Sequence, residues 1–126
     1  MSDIRSYRDL IVWQRAMKLV KLAYLFTAGH PREEVYGLTA QLRRAAVSVP
    51  ANIAEGTGRE NSGSFIQHLR IAQGSLKELE THVLLSVDLE FSSVVSSQLV
   101  LEEADAVGRL LRALIRSLQK RQSGEK

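Results

Sequence analysis

Hydrophobic residues recur every three or four positions through most of the chain, as they do on one face of an α-helix. In the first segment the hydrophobic stripe is Leu10, Trp13, Met17, Val20 and Tyr24. Stripes of the same spacing cover residues 35–53, 65–83 and 100–118. The alternation of two that is typical of strands does not occur, so the pattern predicts an all-α protein with four helices.

Short segments rich in glycine, proline or serine separate the four stripes, at residues 29–31, 56–58 and 91–93. Glycine suits the position after a helix, and proline prevents the helix from continuing. The helices are therefore predicted at about 9–29, 32–56, 62–90 and 93–121. Short connections between neighbours predict an antiparallel up-down-up-down four-helix bundle, with one domain over residues 1–126.

Pro50 lies inside the second predicted helix. A proline there removes one backbone hydrogen bond and crowds the carbonyl of Ala46. Because the hydrophobic stripe continues past it, we expect a kinked helix rather than a broken one. The nearby Ser48 and Asn52 are expected to satisfy the backbone groups that Pro50 frees. In the alternative interpretation, Asn52 and Glu55 face a partner.

The composition is that of one ordinary globular domain of 126 residues, with 44% hydrophobic and 25% charged residues. The absence of cysteine excludes a disulfide scaffold and a thiolate metal site. No uncharged apolar run reaches the length of about 18 residues that a membrane span needs, so no membrane association is expected. The first residues contain no apolar signal segment, and a cytoplasmic location is expected.

The first helix has more apolar surface than one packed face requires. Between residues 10 and 26, the residues that are not hydrophobic are Gln14, Arg15, Lys18 and Lys21. Helices that are apolar nearly all round are buried on more than one side, so the surplus predicts self-association. The side chains predicted to form the oligomer interface are Ile11, Leu19, Leu22 and Phe26. The alternative is that the surplus residues are scattered singly on the surface, which is normal.

The chain offers no recognisable catalytic, cofactor-binding or metal-binding motif. Its histidines are His30, His68 and His82, and the Glu-x-x-His pairs of a di-iron bundle are missing. Arg59 and His68 are nine positions apart, farther than the Arg–His pair of a bundle ribonuclease of the HEPN type. Glycine-rich phosphate loops and nucleophile elbows are missing too. We therefore expect no cofactor, no metal and no enzymatic activity.

The net charge of +3 hides an uneven distribution, because residues 61–105 carry −5 and residues 106–126 carry +5. The cations of the last predicted helix are Arg109, Arg112, Arg116, Lys120 and Arg121. The first four fall within about 80° of one another on the helix and form a ridge that attracts phosphate backbones. Arg43 and Arg44 form a second candidate pair. The alternatives are a solvated surface or pairing with the acidic segment of a neighbour.

Three stretches of the chain carry a family resemblance: residues 7–16 (YRDLIVWQRA), 42–56 (LRRAAVSVPANIAEG) and 65–80 (FIQHLRIAQGSLKELE). With them the chain resembles the bacterial 23S rRNA-intervening sequence protein family over about residues 7–120. The last helix matches this family only in its pattern. The resemblance implies a four-helix bundle that assembles into a ring-like homopentamer, and it brings no agreed catalytic residues.

A related branch of that family contains the accessory variability determinant of diversity-generating retroelements, which is similar to a positively charged barrel that binds nucleic acid and a reverse transcriptase. Together with the residues, the resemblance favours a non-enzymatic oligomeric bundle. Such a protein would bind RNA or DNA through basic ridges with little sequence preference. The alternative hypothesis is a protein-interaction adaptor, such as a reverse transcriptase accessory protein.

Overall fold

The computed structural model describes residues 6–124. Its four long helices are α1 (Ile11–Thr27), α2 (Leu38–Thr57), α3 (Ser62–Asp88) and α4 (Val94–Gly124). Two short 3₁₀ helices, Tyr7–Asp9 and Arg32–Glu34, precede α1 and α2. This part of the chain contains no strand, and the predicted all-α class is confirmed. None of its helices combines the length with the apolar character that a bilayer crossing needs.

Each helix packs against its neighbours in sequence, and α1 also packs against α4. Within the described residues the backbones of the diagonal pairs, α1 with α3 and α2 with α4, do not approach each other closely. At one end of the bundle the ring of His30, which precedes α2, lies 5.8 Å from the ring of Phe91, which precedes α4. At the other end a Cβ on Gly63 would stand 3.4 Å from Nε2 of Gln122, so the start of α3 meets the end of α4. This arrangement confirms the antiparallel up-down-up-down bundle.

The second helix begins six residues later than the sequence pattern predicts. Residues 32–34 form a separate 3₁₀ turn, and the N–H of Gly37 donates to the carbonyl of Glu34 (2.9 Å). The Glu34 carboxylate accepts from the N–H of Leu38, the first residue of α2 (2.9 Å). Glu34 therefore caps α2 from outside, where its charge also complements the helix dipole. The other predicted helix ends differ from the structure by at most three residues.

The cores of α3 and α4 follow the predicted stripes. Leu69, Ala72, Leu76, Leu79 and Val83 of α3 are buried, and so are Val100, Ala104, Val107, Leu111 and Leu118 of α4. These two helices each carry one dominant apolar face, so the spacing alone selects the side that turns inward. Burial of these aliphatic side chains supplies most of the driving force for closing the bundle.

The predicted core stripe of α1 is only partly correct. Its members Leu10, Trp13 and Val20 are partly buried against the core, whereas Met17 and Tyr24 are each 42% exposed. The fully buried side chains of α1 are Val12, Ala16, Leu19, Ala23 and Phe26. Both stripes have helical spacing, but only the buried one contains two alanines, whose small side chains let α1 approach its neighbours closely. Leu19 and Phe26 therefore belong to the core of the bundle, which corrects their prediction as surface interface residues.

The second helix continues through Pro50, which is buried. Asn52 Nδ2 donates to the carbonyl of Ser48 (2.9 Å) and to its Oγ (3.0 Å). The carbonyl that Pro50 frees is that of Ala46, so the expected compensation by Asn52 is not the one observed. Instead, Ser48 Oγ lies 2.8 Å from Ser75 Oγ, and this polar chain links α2 to α3.

An ion pair between a partly exposed arginine and a buried glutamate links α1 to α4. Arg15 Nε and Nη2 donate to the two carboxylate oxygens of Glu103 (2.6 and 3.1 Å). Glu103 is only 6% exposed, and the hydrogen bond from Arg15 lowers the pKa of its carboxyl against the opposing effect of burial. Because α1 and α4 run antiparallel, this contact places the start of α1 opposite about residue 107 of α4. The rest of α4 extends past α1.

Candidate nucleic-acid interface

The predicted basic ridge is an exposed edge of α4. Its members are Arg109, Arg112, Arg116 and Lys120, and Arg121 is a fifth exposed cation about 100° further round the helix; we call all five the cationic edge. All five are exposed and lie in the part of α4 that extends past α1. The 3₁₀ helix before α1 packs on α1 and α2 rather than on α4, so it does not cover this edge.

Most of the cationic edge has no carboxylate partner. Arg109 Nη2 pairs with Asp105 Oδ2 one turn earlier (2.6 Å). Within residues 6–124 the other four cations form no ion pair. The acidic residues of α4 occupy its first half, which separates the two signs of charge along one helix. Unpaired exposed cations keep their full charge, and four of them within about three turns create a local positive field.

The structure does not bring Arg43 and Arg44 to the cationic edge, because they lie on α2, the diagonal helix. Arg43 is half-buried, and its Nε donates to Thr27 Oγ1 (2.8 Å). Its guanidinium also lies 4.3 Å from the centre of the Tyr24 ring, a cation–π contact. Arg43 therefore joins α2 to α1. Arg44 is exposed and lines a polar groove with Ser48, Ser75 and other α2 and α3 residues.

A polar cluster that the sequence spacing did not predict lies at the connection between α2 and α3. Arg59 Nη2 donates to Glu55 Oε2 (2.9 Å) and lies 3.4 Å from His68 Nε2. His68 Nε2 is 3.6 Å from the same Glu55 oxygen. Arg59 and His68 lie on opposite sides of a tight hairpin, so their separation in sequence carries no information about their distance in space.

Gly56 makes this close approach possible. A Cβ at that position would stand 2.8 Å from Cδ1 of Phe65 and 3.0 Å from Cβ of His68. Both distances are shorter than an ordinary carbon–carbon van der Waals contact. The hairpin lies beside the end of α4, as the contact between Gly63 and Gln122 shows. Arg59 and His68 therefore share one end of the bundle with Lys120 and Arg121. We call it the basic end.

The opposite end of the bundle is apolar at its surface. Leu89, Val94, Val95 and Leu99 are each more than half exposed around the turn between α3 and α4. Asp88 and Glu90 lie in the same turn. We call this the apolar end.

Of the side chains predicted for an oligomer interface, Ile11 is exposed on α1 and Leu22 is partly buried against the core.

At the apolar end, the ring of His30 lies between two aromatic rings, in the loop where the sequence predicts this residue. The Phe26 and Phe91 rings lie 5.7 and 5.8 Å from its ring, and its Nδ1 lies 2.8 Å from Thr39 Oγ1. Burial lowers the pKa of the His30 imidazole, and the positive charge of Arg43 adds to this effect against Glu34. Among the residues that the structure describes, no three His, Asp or Glu side chains are grouped to hold a metal ion.

Comparison with known proteins agrees with the fold. The sequence pattern of the 23S rRNA-intervening sequence protein family matches residues 8–113. Among solved structures, the chain is similar to a protein of unknown function from the S23 ribosomal protein family of Bacteroides thetaiotaomicron. The TM-score is 0.75 at 20% identity, over 83% of this chain and 98% of that one. No curated protein matches. The family match ends before Arg116, Lys120 and Arg121.

Proposed function

The chain belongs to the 23S rRNA-intervening sequence protein family, and we propose that it binds RNA or DNA through the cationic edge of α4, without a catalytic step. The observation that carries this proposal is a group of four exposed cations on the last turns of α4, Arg112, Arg116, Lys120 and Arg121, which have no ion-pair partner in residues 6–124. In this proposal the protein acts in the cytoplasm.

The chemistry of the edge favours contacts with phosphates rather than bases. Arginine and lysine neutralise phosphates and release condensed counterions, which makes affinity depend steeply on salt. Four such contacts predict a slope of about 3 in log affinity against log salt for a single strand. The aromatic content is 6%, and Trp13 packs against Tyr7 (5.2 Å) instead of offering a stacking surface. Sequence preference is therefore expected to be weak.

The direct test compares two double variants that change the net charge equally. Arg112→Glu with Arg116→Glu should weaken binding of a short mixed-sequence RNA at least tenfold and roughly halve the salt slope. Lys21→Glu with Arg32→Glu, at exposed positions away from the edge, should leave most of the affinity intact. Fluorescence anisotropy between about 50 and 200 mM salt measures both. Equal losses in the two variants, or no binding by the unchanged protein at low salt, would contradict the proposal.

A second function, that of a protein-interaction adaptor, is favoured by the apolar end. Clustered exposed apolar side chains mark protein interfaces more often than single ones do. A reverse transcriptase is the partner class suggested by the resemblance, and co-purification of one with the intact protein tests it. Changing Val95 and Leu99 to lysine should abolish that co-purification while leaving RNA binding in place.

We also propose that the protein forms a homo-oligomer, with five subunits as the family resemblance implies. The support from this chain is the exposed apolar surface of α1, where Ile11 and Leu25 are 63% and 73% exposed. Oligomerisation would multiply the cationic edge by the number of subunits. Native mass spectrometry counts the subunits, and a monomer at micromolar concentration would contradict this proposal.

A further inference from the structure

The hairpin between α2 and α3 holds two potential anion donors that converge on one oxygen. Arg59 donates to Glu55 Oε2, and His68 Nε2 faces the same oxygen. Glu55 therefore occupies the position that an oxyanion would take between a guanidinium and an imidazole. Its side chain is 58% exposed and is held by no other contact in the described residues, so it can leave without disturbing the core.

The histidine is fixed in the orientation that such a site needs. Its Nδ1 lies 3.0 Å from the carbonyl oxygen of Ser64, which only accepts hydrogen bonds, so Nδ1 must carry a proton. Nε2 then becomes a donor only when the ring takes up a second proton. The charged groups that face it come from α2, Glu55 and Arg59, while α3 contributes the Ser64 carbonyl.

We propose that this cluster is a second phosphate-binding site, in which Arg59 and protonated His68 bind a nucleic-acid phosphate and displace Glu55. This inference rests on the proposed function and extends it, because the hairpin and the end of α4 meet at the basic end. In this proposal, a strand bound along the cationic edge continues past Lys120 and Arg121 to the hairpin at the same end. Glu55 acts as an internal competitor that weakens this contact in the free protein.

Competition by Glu55 can be distinguished from a general effect of removing one negative charge. Glu55→Gln should tighten binding of a short mixed-sequence RNA about threefold, the size expected for one exposed charge pair. Glu60→Gln is the matched control, because Glu60 is exposed nearby and has no ion-pair partner in the described chain. It should have a smaller effect. When Arg59→Gln and His68→Asn are already present, Glu55→Gln should add no more than Glu60→Gln does.

Acidity provides a second readout. Because Nε2 of His68 donates to a phosphate only from the doubly protonated ring, RNA binding should strengthen about two- to threefold between pH 8 and pH 6. His68→Asn should remove this gain, and His82→Asn should keep it. Equal effects of Glu55→Gln and Glu60→Gln, or a pH gain that survives His68→Asn, would overturn the proposal.

The same anisotropy experiment can contradict either proposal without contradicting the other. If affinity responds to Arg112 and Arg116 but not to Arg59 or His68, the hairpin site is wrong and the proposed function stands. If the response is the reverse, the cationic edge is wrong and the hairpin site stands. If neither the unchanged protein nor the Glu55→Gln variant binds RNA at pH 6 and low salt, both proposals are wrong.

Discussion

The two ends of the bundle are built from the same helices but present different surfaces. At the basic end, Arg116, Lys120 and Arg121 are exposed on α4, and the hairpin cluster of Arg59 and His68 lies at the same end. At the apolar end, exposed aliphatic side chains surround a turn that carries only acidic charge. Both ends share one continuous core, so the difference lies entirely in the outward positions. A single bundle of this kind can therefore present two different surfaces, one at each end.

The largest expected effect concerns the packing that supports the basic end. Gly56→Ala would place a Cβ 2.8 Å from Phe65 and 3.0 Å from Cβ of His68, so it should lower the free energy of unfolding by about 1–3 kcal/mol. Gly74→Ala is the matched control, because it also lies within a helix but has nothing within 4 Å of the new Cβ. It should raise stability by about 0.5–1 kcal/mol. Urea unfolding measures both, and equal effects would show that the hairpin is not closely packed.

A smaller effect is expected in the middle of the bundle, between its two ends, where Arg15 pairs with Glu103. Glu103→Gln should reduce stability at pH 7, because a half-buried arginine–carboxylate contact is lost. The folded pKa of Glu103 lies below its unfolded value of about 4.3, so its contribution is complete above that pH. It is lost as the pH falls through the folded value. The variant should therefore lose less stability than the unchanged protein between pH 7 and pH 3.

Glu102→Gln is the matched control for this prediction, since Glu102 is an exposed neighbour without an ion pair in the described residues. It should leave the acid sensitivity unchanged. Unfolding curves at several pH values compare the two variants. Identical acid profiles would mean that the Arg15 contact does not hold Glu103 in its charged form.

The smallest expected effect concerns His30 at the apolar end. Its folded pKa lies below its unfolded value of about 6.5, because burial disfavours the charged ring. Its Nε2 is buried without a hydrogen-bond partner in the described residues, and the Glu34 carboxylate offsets only part of that cost. Stability is complete above the unfolded value and decreases as the pH falls below it. We expect a slight loss of stability between pH 7.5 and pH 5.5, measured by urea unfolding, that His30→Gln abolishes.

A loss of equal size in the His30→Gln variant would assign the pH dependence to another group. This window near pH 6 lies well above the acid window of Glu103. The two titrations can therefore be measured separately in one pH series, one reporting on the apolar end and the other on the middle of the bundle.

The sequence predicts the bundle and the core faces of α3 and α4 because each of those helices has a single apolar stripe. It does not predict the core face of α1, since that helix is apolar on nearly every side. Spacing cannot choose between two faces that both repeat every three or four residues. The small size of Ala16 and Ala23 was the available signal for the buried face.

The candidate sites divide in the same way. The cationic edge lies within one helix, so the spacing in sequence already shows that all of its members except Arg121 share a face. The roles of Arg43 and of the Arg59–His68 pair depend on contacts across two helices. Those contacts follow from the relative placement of the helices, which one sequence does not specify. Gly56, lying just before the hairpin, is the one local sign of a close approach there.

The unequal lengths of α1 and α4 have a consequence for substitutions. At 1.5 Å per residue, α4 is about 46 Å long and α1 about 26 Å, so the last turns of α4 stand beyond the first helix. Outward-facing residues on that overhang can be exchanged with little cost to folding, whereas Leu111, Ile115 and Leu118 are buried there and hold it to the bundle. The family match ends at residue 113, inside the overhang, so the last three cations of α4 lie beyond it. The surface of this tip can therefore change while its buried contacts keep the scaffold intact.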